Sequence, residues 1–240
     1  MRVESSFDWS KARRIAGPCI RPGGRLLTER ALEVCCLAPG SRVADIGCGA
    51  GGTLERVERA GISCPVGLDS SETLLGEAAL RLEPRCLVRG FAEALPFKSG
   101  CLDALFSECV LSILTERSMA LYECARVLRE GGYLVVSDVF ARENPGRGEP
   151  EAKPARLRDG GLLVKDNLLG FLTTLGFSLL LWEEYQRLLK EFAARMILAG
   201  VCLPDLWTCR QGQEKKKTDR SGMSYFLLVA RKGGPGANDG

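Results

Sequence analysis

Short apolar segments alternate with helical segments along most of this chain, and this alternation restricts the possible folds more than any other feature. Strands are predicted at residues 42–46, 64–68, 86–88, 103–107, 133–137, 177–182 and 224–230. Helices are predicted between them, at residues 26–37, 53–60, 71–82, 117–128, 165–175 and 183–199. Short apolar strands that alternate with helices are typical of a parallel sheet covered on both faces. The chain is therefore predicted to have an α/β fold.

We expect one main domain with additions at its ends and two irregular insertions. Residues 1–40 are predicted to be an N-terminal helical segment, and residues 41–232 to form the main domain. Residues 142–161 are rich in Pro, Gly, Glu and Arg, and residues 200–222 have no regular pattern, so both are predicted as irregular insertions. The Gly-rich residues 233–240 are predicted to be a disordered tail.

The composition excludes several kinds of active site. The chain of 240 residues contains no histidine, which excludes a Ser–His triad, a Cys–His pair and a His-ligated zinc site. Eleven cysteines are present, but none of them form the Cys-x-x-Cys spacing of a zinc knuckle. No metal site is therefore predicted.

Charge and cysteine usage bear on partners and compartment. The chain has 33 Lys and Arg against 30 Asp and Glu, a net charge of +3, which is too small to favour nucleic acid or an anionic membrane as a partner. The first residues lack the apolar core of a signal peptide, and many unpaired thiols suit a reducing compartment. We therefore expect a cytoplasmic protein without a nucleic-acid or membrane partner, whose oligomeric state stays open.

A glycine-rich stretch after the first predicted strand is the most informative segment for function. Glycine lets a ligand lie against the backbone, and the predicted helix that follows presents free N–H groups at its N-terminus. The spacing alone is ambiguous. Gly47, Gly49 and Gly52 match the GxGxxG pattern of dinucleotide sites, whereas Gly47, Gly49 and Gly51 match GxGxG.

Two acidic residues decide between these interpretations. Asp45 stands two residues before Gly47, where a carboxylate would repel a pyrophosphate but would suit the ammonium group of a ligand. Asp69 follows the second predicted strand, where a carboxylate holds a ribose diol in nucleotide-binding folds. Together they favour a nucleoside that carries an amino acid, such as S-adenosylmethionine (SAM), over a dinucleotide.

Five segments in order resemble motifs of the class I SAM-dependent methyltransferases. Residues 44–51 (ADIGCGAG) resemble the glycine motif of that family, and residues 67–71 (GLDSS) its ribose-binding motif. Residues 90–97 (GFAEALPF) are similar to a stretch of the UbiE-like branch that borders the adenine. Residues 103–107 (DALFS) and 125–132 (ARVLREGG) match the fourth strand and the turn before the fifth.

The resemblance implies a Rossmann-like sheet of seven mostly parallel strands, in the order 3-2-1-4-5-7-6 with strand 7 antiparallel and helices on both faces. It implies SAM as the cofactor and a small-molecule methyl acceptor. By analogy, residues 7–28 would form a lid, with Arg21 as a candidate contact. The cofactor-binding residues that it implies are Asp45, Gly47, Cys48, Gly49, Gly51, Asp69, Ser70, Phe91, Ala92, Glu93 and Ser107.

One position departs from the family pattern. Many relatives have an aspartate where Phe91 stands, and that aspartate accepts a hydrogen bond from the adenine amino group. Phe91 cannot accept this bond, so the backbone of Ala92 or the side chain of Glu93 would replace it, and the ring of Phe91 would pack on the adenine. This departure is the one hint of an alternative function, a SAM-binding regulatory protein without catalysis.

Glu108 and Cys109 are the candidate catalytic residues, because residues just after strand four face the methyl group in this family. Methyl transfer is an in-line displacement in which positioning does most of the work, and a base is needed only when the acceptor holds a proton at neutral pH. The missing histidine is therefore no obstacle. Glu108 would act as a base or hold a cationic substrate; the alternative is a structural pair with an arginine.

Cys109 suggests a second possible acceptor. Residues 107–112 (SECVLS) are similar to the cysteine-bearing segment of arsenite methyltransferases, and thiolates favour soft ions. A thiophilic metalloid held by Cys109 is therefore an alternative, with further ligands from Cys19, Cys202 or Cys209. The competing interpretation of Cys109 is a small buried apolar residue.

Overall fold

A single sheet runs through the part of the chain that the computed structural model describes, namely residues 19–142, 157, 162–200 and 222–233. Its strands are β1 (Val43–Ile46), β2 (Val66–Asp69), β3 (Leu87–Arg89), β4 (Leu102–Glu108), β5 (Leu128–Ala141), β6 (Leu163–Val164), β7 (Phe177–Glu184) and β8 (Met223–Lys232). The helices are α1 (Leu26–Cys35), α2 (Gly52–Arg59), α3 (Glu72–Ala78), α4 (Arg117–Val127), α5 (Lys165–Thr174) and α6 (Gln186–Leu198). Two short 3₁₀ turns cover Pro84–Cys86 and Leu111–Ile113.

The strand order confirms the predicted topology. Along the sheet the order is β3-β2-β1-β4-β5-β8-β7, and β8 runs antiparallel to both of its neighbours while the other pairs are parallel. With the two-residue strand β6 left out, this is the expected order 3-2-1-4-5-7-6 with an antiparallel last strand. Strand β6, which pairs with the end of β5, was not predicted because two residues carry no periodic signal.

Helices cover both faces of the sheet, as the apolar strands require. Helices α4 and α5 pack on one face, over a cluster that includes Leu105, Leu134 and Phe226. Helices α1, α2 and α6 pack on the other face, over a cluster that includes Phe106 and Val135. Because neighbouring residues of a strand point to opposite faces, the two clusters share every central strand.

Two predicted elements have a boundary that differs from the structure by four residues or more. Gly131 and Gly132 were expected to form a turn before strand five, but they lie inside β5, in a bulge where the pairing with β4 shifts between Leu102 and Ala104. The predicted helix at 71–82 ends at Ala78. Its N-cap is Ser71, whose Oγ accepts a hydrogen bond from the backbone N–H of Leu74.

Several sequence-based expectations lie outside the described residues. They are the part of the lid before Cys19, nearly all of the two irregular insertions, the tail after Gly233, and the thiols of Cys202 and Cys209. The domain boundaries therefore stay predictions. Among the helices that are described, none is long and apolar enough to cross a membrane.

The aromatic packing around Phe226 gives a test of the fold. Phe226 is fully buried and stacks on Trp182 with 4.4 Å between ring centroids. We expect Phe226→Ala to lower the free energy of unfolding by about 3–5 kcal/mol, because it leaves a cavity between β8 and β7. Urea denaturation measures this loss. Leu180→Ala, which removes a half-exposed side chain of β7, is the control and should change stability by about 0.5 kcal/mol or less; equal losses would contradict the packing.

Candidate functional site

The glycine loop connects the end of β1 to the start of α2. The backbone N–H groups of Gly47 and Cys48 both donate to the carbonyl of Leu68 in β2, at 2.7 and 3.1 Å. Gly47, Gly49 and Gly51 all have positive φ, at 68°, 52° and 84°. Side chains rarely adopt this left-handed conformation, so the loop needs the three glycines that the GxGxG pattern contains.

The loop has two crowded glycines and one open glycine. A Cβ at Gly47 would collide with the side chain of Val110, and a Cβ at Gly51 would collide with Leu82. At Gly49, in contrast, no atom lies within 4 Å of the position that a Cβ would take. The loop therefore has an uncovered backbone surface at Gly49.

Asp69 borders this uncovered surface. It is the last residue of β2, and one carboxylate oxygen accepts a 2.8 Å hydrogen bond from the backbone N–H of Gly49. The other oxygen accepts one from the N–H of Ser71, also at 2.8 Å. Burial raises the pKa of Asp69, and the N–H groups of Ser71, Gly49 and Ser70 oppose that rise. Each oxygen keeps a second lone pair, so the group can still accept hydrogen bonds from a ligand.

A buried ion pair lies on the other side of the loop. Arg21, from the segment before α1, contacts Glu108 at the end of β4 with 2.6 Å between Nη1 and Oε2. Each of the two residues is only 7% exposed. The alternative interpretation of Glu108, a pair with an arginine, is therefore what the structure contains. Whether Glu108 also takes part in catalysis stays a prediction.

Two threonines complete this cluster. Arg21 donates to the hydroxyl of Thr53 at 2.8 Å and to the hydroxyl of Thr28 at 2.6 Å. Both hydroxyls in turn donate to the carboxylate of Glu108, from Thr28 at 3.1 Å. The guanidinium Nε also donates to the carbonyl of Gly24 at 2.9 Å. The cluster of Arg21, Thr28, Thr53 and Glu108, which we call the arginine clamp, thus joins α1, α2 and β4.

Asp45 lies next to the arginine clamp and is 3% exposed. Burial raises its pKa well above the ordinary value, and the negative charge of Glu108 raises it further, while Arg21 and the Thr53 hydroxyl oppose the rise. One guanidinium therefore faces two buried carboxylates. An additional cation at this place would favour the charged form of Asp45.

The other predicted cofactor residues lie at the same edge of the sheet. Ser107 is buried in β4 opposite Ile46, and Ser70 follows β2 at the surface. After β3 the chain makes a tight turn, with Phe91 paired to Ala94. Phe91 is 44% exposed while Ala92 is buried, and Glu93 is partly buried. Since β1 to β4 are parallel, their carboxyl ends bring all of these residues to one side.

Two predicted cysteines have side chains in apolar surroundings. The side chain of Cys48 packs under the loop with Leu54 and Leu82, so only its backbone belongs to the loop surface. The residue Cys109 is partly exposed and has a left-handed φ of 59°. Its thiol lies 3.1 Å from the hydroxyl of Tyr225, which donates to Ser137 at 3.0 Å. Burial, with a contribution from Asp138, raises the pKa of Cys109 well above its ordinary value.

These thiols do not assemble a metal site in the described part of the chain. No group of three or more Cys, Asp or Glu residues there has the geometry to hold a metal ion. Cys19 lies near Arg21 and Glu108, and burial raises its pKa. The metalloid hypothesis would need Cys202 or Cys209, which lie outside the described residues, so it stays a prediction.

Sequence reasoning missed Thr28, Thr53 and Tyr225. A threonine in the first turn of a helix after a glycine loop is a weak signal, because its hydroxyl usually serves the helix itself. Nothing local in the sequence links Thr28 to Glu108, since the two residues are 80 positions apart. Their contact depends on the packing of α1 against the end of β4, which only the fold provides.

Comparisons with known proteins agree with this geometry. Residues 44–136 match a family described as "Methyltransferase domain". An uncharacterized methyltransferase of Synechocystis is 31% identical over 115 residues, which cover 47% of this chain and 54% of that protein. The ubiquinone/menaquinone biosynthesis C-methyltransferase UbiE of Campylobacter jejuni is 32% identical over 111 residues, 44% of this chain and 47% of that protein.

Over residues 44–136 the chain is therefore similar to a methyltransferase domain. The solved structure of the [4+2]-cyclase SpnF aligns with a TM-score of 0.65 at 26% identity, over 87% of this chain and 81% of that one. Phosphoethanolamine N-methyltransferase 2 of Haemonchus contortus, in complex with SAM, aligns with a TM-score of 0.69 over 94% of this chain and 56% of that one. At 18% identity the second likeness shows the fold alone. The chain spans about half the length of the first two curated relatives.

Gly47 and Gly49 differ in a way that mutation can measure. Alanine at either position costs about 1–2 kcal/mol for the left-handed backbone. Gly47→Ala should lower the free energy of unfolding by more than Gly49→Ala, because only the first Cβ collides with Val110. Urea denaturation of the two variants checks this, and equal losses would contradict the crowding at Gly47.

The state of the Cys109 thiol can be measured by alkylation. We expect iodoacetamide at pH 8 to modify Cys109 at least about tenfold more slowly than the exposed Cys36. The thiolate is the reactive form of a cysteine, and burial disfavours the thiolate of Cys109. Mass spectrometry of peptides from a time course gives both rates. Equal alkylation rates of Cys109 and Cys36 would contradict this expectation and would support Cys109 as a thiolate ligand of a metalloid.

Proposed function

We propose that this chain binds SAM and transfers its methyl group to a small-molecule acceptor. The observation that carries the proposal is the position of Asp69, whose carboxylate meets the uncovered backbone of Gly49 at the ends of β2 and β1. This arrangement suits a ribose diol beside a backbone surface. The methyltransferase domain that residues 44–136 match supports the same cofactor.

The residues present fit SAM on two further points. The uncovered surface at Gly49 leaves room for a ligand where a side chain would otherwise lie. Asp45 and Glu108 both face the guanidinium of Arg21, so there is an excess of carboxylates over cations next to the loop. An amino-acid ammonium would balance that excess. A dinucleotide would bring pyrophosphate charge to the same carboxylates, which opposes the dinucleotide interpretation.

Each part of the site has a definite role in this proposal. SAM supplies an activated methyl group. Asp69 would hold the ribose hydroxyls, the exposed ring of Phe91 would pack on the adenine, and Asp45 would hold the amino-acid end. These contacts fix the position of the cofactor, and positioning is the main source of rate in a displacement of this kind.

The acceptor is proposed only as a class. The curated relatives include methyltransferases named for ubiquinone and menaquinone biosynthesis and for demethylmenaquinone, and the net charge of +3 does not favour a nucleic acid. Glu108 already contacts Arg21 and two threonines. The site therefore favours an acceptor that needs no general base, because the nucleophile of such an acceptor carries no bound proton at neutral pH.

Binding of nucleosides tests the proposal directly. We expect calorimetry to detect SAM and S-adenosylhomocysteine (SAH) and to detect no NADH, because Asp45 opposes a pyrophosphate. Asp69→Asn should weaken the binding of both ligands by about tenfold or more, since the hydrogen bonds of a charged acceptor are worth about 1.5–3 kcal/mol.

Two controls separate a lost contact from a damaged fold. Urea denaturation of Asp69→Asn should show a cooperative unfolding transition. Glu72→Gln should bind SAM and SAH like the wild type, because Glu72 is an exposed residue of α3 that pairs with Arg89. Tight binding of NADH without SAM would refute the proposal. Because SpnF is described as a cyclase, methyl transfer itself must be measured with labelled SAM and candidate acceptors.

A further inference from the structure

The arginine clamp spans the two ends of the glycine loop. Glu108 ends β4, the strand that pairs with β1 directly before the loop. Thr53 lies in the first turn of α2, directly after the loop. Arg21 contacts both, at 2.6 Å to the Glu108 carboxylate and 2.8 Å to the Thr53 hydroxyl. A single guanidinium thus connects the place where the loop begins with the place where it ends.

Arg21 also ties the segment before α1 to this loop. Its Nε donates to the carbonyl of Gly24 and its Nη2 to the hydroxyl of Thr28. The planar fork of an arginine can serve all of these acceptors at once, whereas a lysine ammonium is a single compact charge. The segment 19–25 therefore cannot leave the loop without separating an ion pair whose members are each 7% exposed.

The clamp also affects the charge next to the ligand. The charged groups that face Asp45 are Glu108, Arg21 and Asp69, and Arg21 brings the only positive charge among these three. Without it, Asp45 and Glu108 would be two buried carboxylates with no cation among the charged groups that face Asp45. Such an arrangement is costly, and it would disturb the residues proposed to hold the amino-acid end of the ligand.

We propose that Arg21 is a positioning residue that acts through Glu108 and Thr53, holding the glycine loop in its binding conformation and slowing the release of the cofactor. In this role Glu108 receives Arg21 and does not act as a base. The inference rests on the proposed function, since it assumes that SAM and SAH bind at the loop. It goes beyond that function by assigning a positioning role to Arg21 and Glu108, two residues to which the proposed function gives no contact with SAM.

The experiment measures the affinity and dissociation rate of SAH for four proteins: wild type, Arg21→Met, Arg25→Met, and the double variant Arg21→Met/Glu108→Gln. Methionine keeps much of the length of arginine but removes the charge. We expect Arg21→Met to weaken SAH binding by about 5- to 150-fold, the usual range for coupled sites, mostly through faster dissociation.

The two other variants separate the charge from mere packing. Arg25 belongs to the same segment, but its side chain is 42% exposed and its contact with Glu55 is 3.4 Å long, so Arg25→Met should bind SAH within about twofold of wild type. The double variant should bind SAH at least about fivefold more tightly than Arg21→Met does. The reason is that it also removes the charge of Glu108, which has lost its cation in Arg21→Met. Packing alone would give no such recovery.

The outcomes are distinct. Two results would overturn this inference while leaving the proposed function intact. One is an affinity and dissociation rate of SAH for Arg21→Met within about twofold of wild type. The other is a double variant that binds SAH no more tightly than Arg21→Met does. A wild-type chain that binds neither SAM nor SAH would overturn the proposed function and this inference with it. If Arg21→Met does not fold, Arg21→Lys replaces it in the experiment. The lysine keeps the charge but cannot reach both Thr53 and Glu108, so SAH should dissociate about fivefold faster than from wild type. An unchanged dissociation rate would overturn the inference.

Discussion

The parallel pairing of β1 with β2 on one side and β4 on the other is the constraint on which the site depends. In this register Ile46 lies opposite both Leu68 and Ser107, so the three strands end together. Asp45, Asp69 and Glu108 reach the same edge only for that reason. A shift of one residue in any of these strands would turn its carboxylate to the opposite face, and the apolar clusters on both faces make such a shift costly.

Buried charge follows from that pairing, and the segment before α1 offsets part of it. Carboxylates that leave water must be paired or hydrogen-bonded. Asp69 receives two backbone N–H groups from the loops around it. Glu108 receives Arg21 and two hydroxyls. Asp45 has less compensation, which is why its pKa rises well above the ordinary value and why this place suits a cationic ligand group.

The sequence was sufficient to predict the features that depend on local patterns. Apolar segments of strand length indicated the α/β class. The glycine spacing, with Asp45 before it and Asp69 after the second predicted strand, indicated the kind of ligand. The resemblance to a family added the strand order, which the structure confirms. The predicted turn at Gly131 and Gly132 was wrong because a bulge lets β5 continue through it.

The sequence was not sufficient where a contact joins distant residues or depends on one backbone angle. Arg21 was expected as a lid contact, but its partner Glu108 could be found only from the packing of α1 against the end of β4. The direction of the Cys109 side chain follows from a left-handed φ of 59°, which a non-glycine residue seldom adopts. Neither fact leaves a periodic or compositional signal.

A crystal structure of the complex with SAH would show the ligand and the arginine clamp together. We expect both ribose hydroxyls to lie within hydrogen-bond distance of Asp69, and Arg21 to contact Glu108 and Thr53 over the loop. A ligand bound away from Asp69, or an Arg21 that has left Glu108 while SAH occupies the loop, would contradict this expectation.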